Sequence, residues 1–100
     1  MHGSLTKQIA SLGVPALYAQ ENEKDATVYL RLYLLGSNWQ WFVTELEEQD
    51  GDTLFFGFVA GFEKEWGYFR LSEMREAGQL IYDCEFAPMP FSEVKAKYGL

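Results

Sequence analysis

Residues 55–69 read FFGFVAGFEKEWGYF, a stretch with seven aromatic side chains and three glycines in fifteen positions. The charged triplet EKE (63–65) divides it and is typical of a turn between two strands. The part before the turn, TLFFGFVAGF (53–62), is apolar on both alternating faces, which predicts a central strand of a sheet. The part after it, WGYFRLS (66–72), alternates as a half-buried strand does. One predicted face carries Phe69 and Leu71, and the other carries Trp66, Tyr68 and Arg70.

The same stretch allows a second interpretation, a platform on which nucleic-acid bases stack. FGFV (56–59) matches the centre of an RNA-recognition strand of the form basic-Gly-aromatic-Gly-Phe-Val-x-aromatic. Leu54, Phe55 and Gly61 do not match its flanks, and the net charge of −7 opposes a phosphate-binding surface. Packing is therefore the favoured interpretation, in which Gly57 and Gly61 let rings or a helix lie close. Nucleic acid is not expected as the main partner.

Two further segments predict strands before this pair. ATVYLRLYLL (26–35) and WQWFVTEL (39–46) both alternate, and Asp50-Gly51 is the pair preferred in a tight hairpin turn. LIYDCEF (80–86) is a candidate fifth strand. Strict alternation places two sets of side chains on shared faces: Val28, Leu30, Leu32 and Leu34 in the first segment, and Trp39, Trp41 and Val43 in the second.

Short helices are predicted near both ends of the chain. Ser4 and Ser72 are candidate N-caps, and SEVKAKYG (92–99) pairs Val94 with Tyr98 on one side of a last helix. The predicted fold class is α+β, an antiparallel meander sheet of four to five strands with short terminal helices packed on one face.

Length and composition indicate one domain, residues 1–100, with 48% apolar and 17% aromatic residues. The opening MHGS (1–4) has the form of a cloning remnant. No apolar run reaches the roughly 18 residues that span a bilayer, and no signal-peptide pattern opens the chain. We therefore expect a cytoplasmic protein that does not enter a membrane.

The residue types of common catalytic and metal sites are scarce. His2 is the sole histidine and Cys84 the sole cysteine, so neither a catalytic triad nor a cysteine-rich zinc site is expected. Cys84 has no basic neighbour in sequence and is expected to be a buried structural thiol. We expect no catalytic residues, no metal, no cofactor and no enzymatic activity.

Carboxylates concentrate in three segments, ENEKD (21–25), ELEEQDGD (45–52) and EKE (63–65). Calcium binding is opposed by the spacing, which lacks the alternating acidic pattern of a calcium loop. A solvated surface and a negative docking surface both remain open, and the last two segments could share one end of the meander. The docking surface would consist of Glu45, Glu47, Glu48, Asp50, Asp52, Glu63 and Glu65.

An aromatic patch is the other candidate site. Trp39 and Trp41 alternate with Gln40, so both rings face one side, which is either the core or an open face. If that face is open, the patch would comprise Trp39, Trp41, Tyr68 and Arg70.

The order SNWQWFVTE, then DTLFFGFVAGFEKEWGYFRLSEM, resembles the bacterial family catalogued as domain of unknown function 2958. LTKQI near the start and CEFAPMPFSEV near the end are also similar to it, whereas REAGQLIY fits least well. The resemblance implies no activity or catalytic residues. Because such proteins are often carried by plasmids, integrative elements and phages, it implies a role against host defence.

These observations predict a small acidic interaction protein without catalytic function. Its docking surface would face a basic protein, such as a restriction or CRISPR component that it inhibits. The alternative is a module that binds a small ligand or single-stranded nucleic acid on an aromatic sheet face. The sequence does not specify the partner or the oligomeric state.

Overall fold

Five antiparallel strands form the main sheet of the molecule, whose computed structural model describes residues 7–100. In chain order they are β2 (Leu30–Leu34), β3 (Gln40–Gln49), β4 (Asp52–Ala60), β5 (Lys64–Arg70) and β6 (Leu80–Tyr82). Their order across the sheet is β5-β4-β3-β2-β6, so the first four form a meander and β6 returns to β2. A small second sheet pairs β1 (Thr27–Val28) with β7 (Met89–Pro90).

Helical segments complete the fold, and the α+β class that the sequence predicts is confirmed. The described part of α1 covers residues 7–10, and α2 (Leu71–Ala77) and α3 (Phe91–Tyr98) follow later in the chain. The helices do not all pack on one face, however. Ile9 of α1 and Met74 of α2 join one buried cluster, whereas Val94 of α3 joins another. The sheet is therefore covered from both sides.

The two clusters define two faces of the main sheet. Face A carries Trp41, Val43, Phe55 and Phe69, which are all buried. Face B carries Phe42, which is fully buried against the second cluster. This division confirms the alternation predicted for Trp39, Trp41 and Val43.

Val28 departs from its predicted face. Leu30, Leu32 and Leu34 lie in the cluster on face A, but Val28 lies with Phe42 in the second cluster. The alternation breaks because the chain passes at Tyr29 from the small sheet into the main one.

Residues 55–69 lie in the predicted strand pair, β4 and β5. At Gly61 a Cβ would collide with the ring of Trp39, so this glycine lets a ring lie close, as predicted. At Gly57 a Cβ would collide with the backbone carbonyl of Phe42, so here glycine allows the close approach of a strand rather than of a ring.

Tight turns set the meander. Asp50 and Gly51 have φ angles of 51° and 78° and connect the paired residues Gln49 and Asp52, as the predicted hairpin requires. The candidate fifth strand is shorter than predicted, since β6 ends at Tyr82 and residues 84–85 form a turn.

The N-termini of α2 and α3 share a capping arrangement that the sequence did not predict. Ser72 lies inside α2 and is not its N-cap; its backbone N–H and its hydroxyl both donate to the Asp52 carboxylate, at 3.1 and 2.6 Å. Ser92 of α3 donates in the same way to Asp25, at 2.9 and 2.6 Å. A remote aspartate thus accepts from the first turn of each helix. Ser4, like His2 and the rest of residues 1–6, lies outside the described residues.

Candidate functional site: an aromatic cleft on face B

A cleft of about 580 Å³ lies on face B, between the segment 17–26 and the strands β3, β4 and β5. Phe91, at the start of α3, closes one side of it. Its lining combines five aromatic rings with three carboxylates. They are Tyr18, Phe56, Trp66, Tyr68 and Phe91, and Glu21, Glu23 and Glu45.

A β-bulge in β3 places Glu45 in this cleft. Val43 pairs with Gly57 and Glu45 pairs with Phe56, so Thr44 is an extra residue in the ladder. Side chains alternate along a strand, so Glu45 would share face A with Val43 if no residue were inserted. The bulge moves Glu45 to face B beside Phe56, and it returns Leu46 to the cluster on face A.

Glu45 fixes one wall of the cleft. Its side chain is only 4% exposed, and its carboxylate accepts the backbone N–H of Tyr18 at 2.8 Å and that of Gln20 at 2.7 Å. Tyr18 has a φ of 72°, a left-handed conformation that a tyrosine seldom adopts and that these bonds help to hold. The segment from Tyr18 to Gln20 is thereby tied to the centre of the sheet.

The Gln20 side chain adds a second attachment. Its amide nitrogen donates to the carbonyl oxygens of Thr27 and Thr44, both at 2.9 Å, and its oxygen accepts the Thr27 N–H at 2.7 Å. The side chain therefore bridges β1 and the bulge, much as a short strand would. The wall is built before any ligand arrives, which favours binding because less ordering remains to be done.

The aromatic rings form a continuous surface. Trp66 lies 4.7 Å from Phe91 and 5.9 Å from Phe56 between ring centroids, and it stacks on Phe56 with an interplanar angle of 19°. Tyr68 lies 4.9 Å from Phe56. Trp66 and Tyr68 nevertheless remain 41% and 53% exposed, so the cleft presents ring faces that a ligand can reach.

The electrostatic character of the cleft is negative. Within residues 7–100 no cation forms an ion pair with Glu45, and the ion pair that the structure shows joins Arg31 to Asp83 elsewhere. Glu21 and Glu23 add two charges at the rim, where Lys24 supplies one positive charge. A buried carboxylate without a counter-ion makes the cleft attractive to a cation.

The negative charge of the cleft also affects the pKa of Tyr68. Its pKa is raised above the ordinary 10.0, first by a hydrogen bond with the Tyr18 hydroxyl, then by desolvation and by the charges of neighbouring groups that include Glu45 and Glu21. Tyr68 therefore stays neutral at physiological pH and is a hydrogen-bonding group rather than a base.

The predicted aromatic patch does not form as one surface. Trp41 packs on Phe69, at 6.3 Å between ring centroids, and is buried on face A with Trp39 against it. Tyr68 and Phe69 are successive residues of β5, so Tyr68 lies on face B, and Arg70 lies on that face too. The core interpretation holds for the tryptophans, and only Tyr68 reaches the cleft.

The predicted acidic docking surface is also divided. Successive hairpin turns lie at opposite ends of the strand they share, and β4 has nine residues, which separates the two acidic turns by about 27 Å. Glu47, Glu48 and Asp50 are exposed at one end, and Glu63 and Glu65 at the other. Glu45 lies in the cleft, and Asp52 binds the first turn of α2.

Several residues of the cleft were not predicted as site residues. Tyr18 and Gln20 come from a segment without strand or helix pattern, and Glu21 and Glu23 lie in the acidic segment ENEKD (21–25), which is outside the predicted docking surface. Phe91 precedes the predicted last helix. The signal that was available is the apolar spacing after Val43, where the next core residue is Leu46 rather than residue 45.

Other kinds of site find little support in residues 7–100. No group of three or more His, Cys, Asp or Glu side chains there could hold a metal ion. Cys84 is exposed, contrary to the prediction of a buried thiol, because β6 ends before it and it lies in a turn. No helix in that part of the chain is long and apolar enough to cross a membrane.

Comparisons with protein-family models, with curated proteins and with solved structures gave no match.

Proposed function

We propose that this protein is a binding protein without catalytic activity, and that its aromatic cleft receives a cationic side chain of a basic protein partner. The observation that carries the proposal is Glu45, a buried carboxylate with no cation beside it, in a cleft lined by aromatic rings. Within the described residues its charge is balanced only by backbone N–H donors, so an incoming cation would complete the site.

The rings and the carboxylates act on the same ligand. A cation over the face of a tryptophan or tyrosine gains about 0.5–2 kcal/mol, depending on how far water is excluded. Trp66 and Tyr68 offer such faces, and Glu21 and Glu23 lie at the rim. Arginine suits this combination better than lysine, because its planar guanidinium can stack on a ring while it donates to a carboxylate.

The charge of the whole chain supports the same class of partner. A net charge of −7 raises the rate at which a basic protein encounters this one, and the exposed acidic turns at both ends of β4 contribute to that field. The resemblance of the sequence to a family carried by mobile elements directs the proposal to a restriction or CRISPR component in the cytoplasm. Inhibition would follow if the cleft captured an arginine which that component uses on nucleic acid.

The direct test is a fluorescence titration with N-acetylarginine amide and with N-acetylcitrulline amide, which has nearly the same shape without the charge. We expect the arginine compound to change the tryptophan emission, and we expect Trp66→Phe to remove that change. Equal responses to the two compounds would contradict the proposal.

A charge-matched pair of variants tests the carboxylates. Glu21→Gln with Glu23→Gln should weaken arginine binding about threefold or more, since two charges leave the rim. Glu73→Gln with Glu76→Gln makes the same change of charge on the exposed side of α2 and should have little effect. Loss of affinity in both pairs alike would point to general charge instead of the cleft.

A second candidate function is single-stranded nucleic-acid or small aromatic ligand binding. The observation in its favour is the stacked pair Phe56 and Trp66, with Trp66 and Tyr68 open to solvent as stacking surfaces. Phosphates would have to approach the three carboxylates of the cleft, which opposes a nucleic acid. A flat fluorescence titration with single-stranded oligonucleotides would remove that form of it.

A further inference from the structure

Strand β5 lies at one edge of the main sheet, beside the cleft. Within the described residues it pairs with β4 alone, and the register between them is regular from Leu54–Arg70 to Ala60–Lys64. The outer side of β5 therefore carries backbone N–H and C=O groups that point away from the sheet. Such an edge is a template on which another extended chain can add.

The middle of this edge lacks the features that usually keep an edge strand from pairing with another chain. Charged residues stand at its ends, Lys64 and Glu65 at one and Arg70 at the other, but Trp66, Gly67 and Tyr68 between them carry no charge. The strand contains no proline, and the bulge in the sheet lies between β3 and β4 instead. The central edge is uncharged and bordered by exposed rings, a combination that natural edges generally avoid.

Gly67 has no structural requirement within residues 7–100. A Cβ at this position would meet no atom within 4 Å, and its φ lies outside the left-handed region that favours glycine. It pairs with Gly57 and therefore leaves a notch on face A at the edge of the sheet. A glycine in a strand often marks a place where another backbone or side chain approaches closely.

We propose that the partner presents an extended basic segment, which adds to β5 as a sixth strand and places alternate cationic side chains over the cleft. This inference rests on the proposed function, because the charge of the cleft selects the segment. Side chains of an added strand alternate between the two faces. One set would lie beside Trp66 and Tyr68 on face B, and the other beside the notch at Gly67 on face A.

A second copy of this chain fits the same edge poorly. An antiparallel pairing of two β5 strands about Gly67 would set Lys64 of each copy opposite Arg70 of the other, and like charges directly opposite destabilise a strand pair. Each copy also carries a net charge of −7, which opposes association. Lys64 and Arg70 also limit a basic occupant, whose cations must lie beside Trp66 and Tyr68, where the carboxylates of the cleft attract them.

The test uses a short peptide with two arginines separated by one threonine, placed to lie beside Trp66 and Tyr68, and with uncharged residues opposite Lys64 and Arg70. Two further versions carry methyl groups on alternate backbone nitrogens. Methylation removes N–H donors but leaves the arginine side chains. In an added strand only one alternate set of N–H groups faces β5. We expect methylation of that set to lower affinity about tenfold or more, and methylation of the other set to leave it within about twofold.

Hydrogen exchange supplies an independent measurement. Binding of the unmethylated peptide should protect the alternate backbone amides of Lys64–Arg70 that face away from β4, while the amides of α2 keep their rates. Equal effects of the two methylation patterns, or unchanged exchange in β5, would overturn strand addition. If N-acetylarginine amide still binds in that case, the proposed function stands; if neither it nor the peptide binds, both proposals fail. Dimerisation through β5 in sedimentation experiments would overturn the choice of occupant.

Discussion

Adding one methyl group at each of three glycines in residues 55–69 should give three different results. At Gly57 the new Cβ would collide with the Phe42 carbonyl oxygen and lie 3.0 Å from the Val43 Cα. Both obstacles are backbone atoms of β3 beside the bulge, so the strand itself would have to move. Overpacking that shifts a backbone costs about 1–3 kcal/mol, and we expect Gly57→Ala to lie at the upper end.

The other two positions meet softer surroundings or none. At Gly61 the obstacle is the ring of Trp39, a partly buried side chain that can turn, so we expect a loss of about 1 kcal/mol. At Gly67 the new methyl group would meet nothing, and alanine restricts the unfolded chain more than glycine does. Gly67→Ala should therefore raise the free energy of unfolding by about 0.5 kcal/mol.

Urea denaturation followed by circular dichroism measures the series. Gly57→Ala and Gly67→Ala should differ by about 3 kcal/mol in free energy of unfolding, which separates their midpoints by about 2 M for a slope of about 1.5 kcal/mol/M. The three variants control for one another, because each makes the same chemical change in β4, in β5 or in the turn between them. If Gly57→Ala were as stable as Gly67→Ala, the close approach of β3 and β4 would be wrong, and with it the argument for the bulge.

Two further predictions concern acidic residues. Glu45→Gln puts an amide nitrogen, which cannot accept, in place of one carboxylate oxygen, so one of the two backbone N–H groups loses its acceptor. Urea denaturation should show a loss of about 1–3 kcal/mol, while Glu47→Gln stays within about 0.5 kcal/mol. An unchanged Glu45→Gln would contradict the role of this carboxylate. The pKa of Asp52 is lowered below 3.8, mainly by the hydrogen bond from the Ser72 hydroxyl and then by that from the Thr53 N–H. The unfolded chain therefore binds a proton at Asp52 more tightly than the folded chain does. The contribution of Asp52 to stability is present above about pH 5 and is lost as the pH falls through 3.8 and below. Thermal unfolding of Asp52→Asn across this range should show a smaller fall than the parent chain, and identical profiles would refute the contribution.

Local patterns predicted most of the sheet. Alternation assigned Trp39, Trp41 and Val43 to one face, and Asp50-Gly51 predicted the hairpin between β3 and β4, because these signals depend only on neighbours in sequence. The face that α3 covers could not be read in the same way. Its helical pattern is short, and the choice of face depends on where the chain travels after β6.

The candidate site depended on contacts between distant segments. Tyr18 and Glu45 are separated by 27 positions, and Asp52 and Ser72 by 20, so neither pairing leaves a mark in a local window. The expectation that two acidic turns could share one end of the meander was wrong for a simpler reason. Two hairpin turns that share β4 must lie at opposite ends of it, which follows from antiparallel geometry alone.

The bulge at Thr44 reconciles two demands that strict alternation cannot meet together. Val43 and Leu46 both pack against the cluster on face A, yet they are three positions apart, and a regular strand would send them to opposite faces. Without the extra residue, a strand with Val43 on face A would send Leu46 to face B and would place the charge of Glu45 in the apolar cluster, which costs several kcal/mol. One inserted residue keeps the core apolar and turns Glu45 towards Tyr18 and Gln20. The spacing of apolar residues in β3 therefore determines the charge of the cleft, and an apolar spacing of three inside a strand is the sequence feature that marks it.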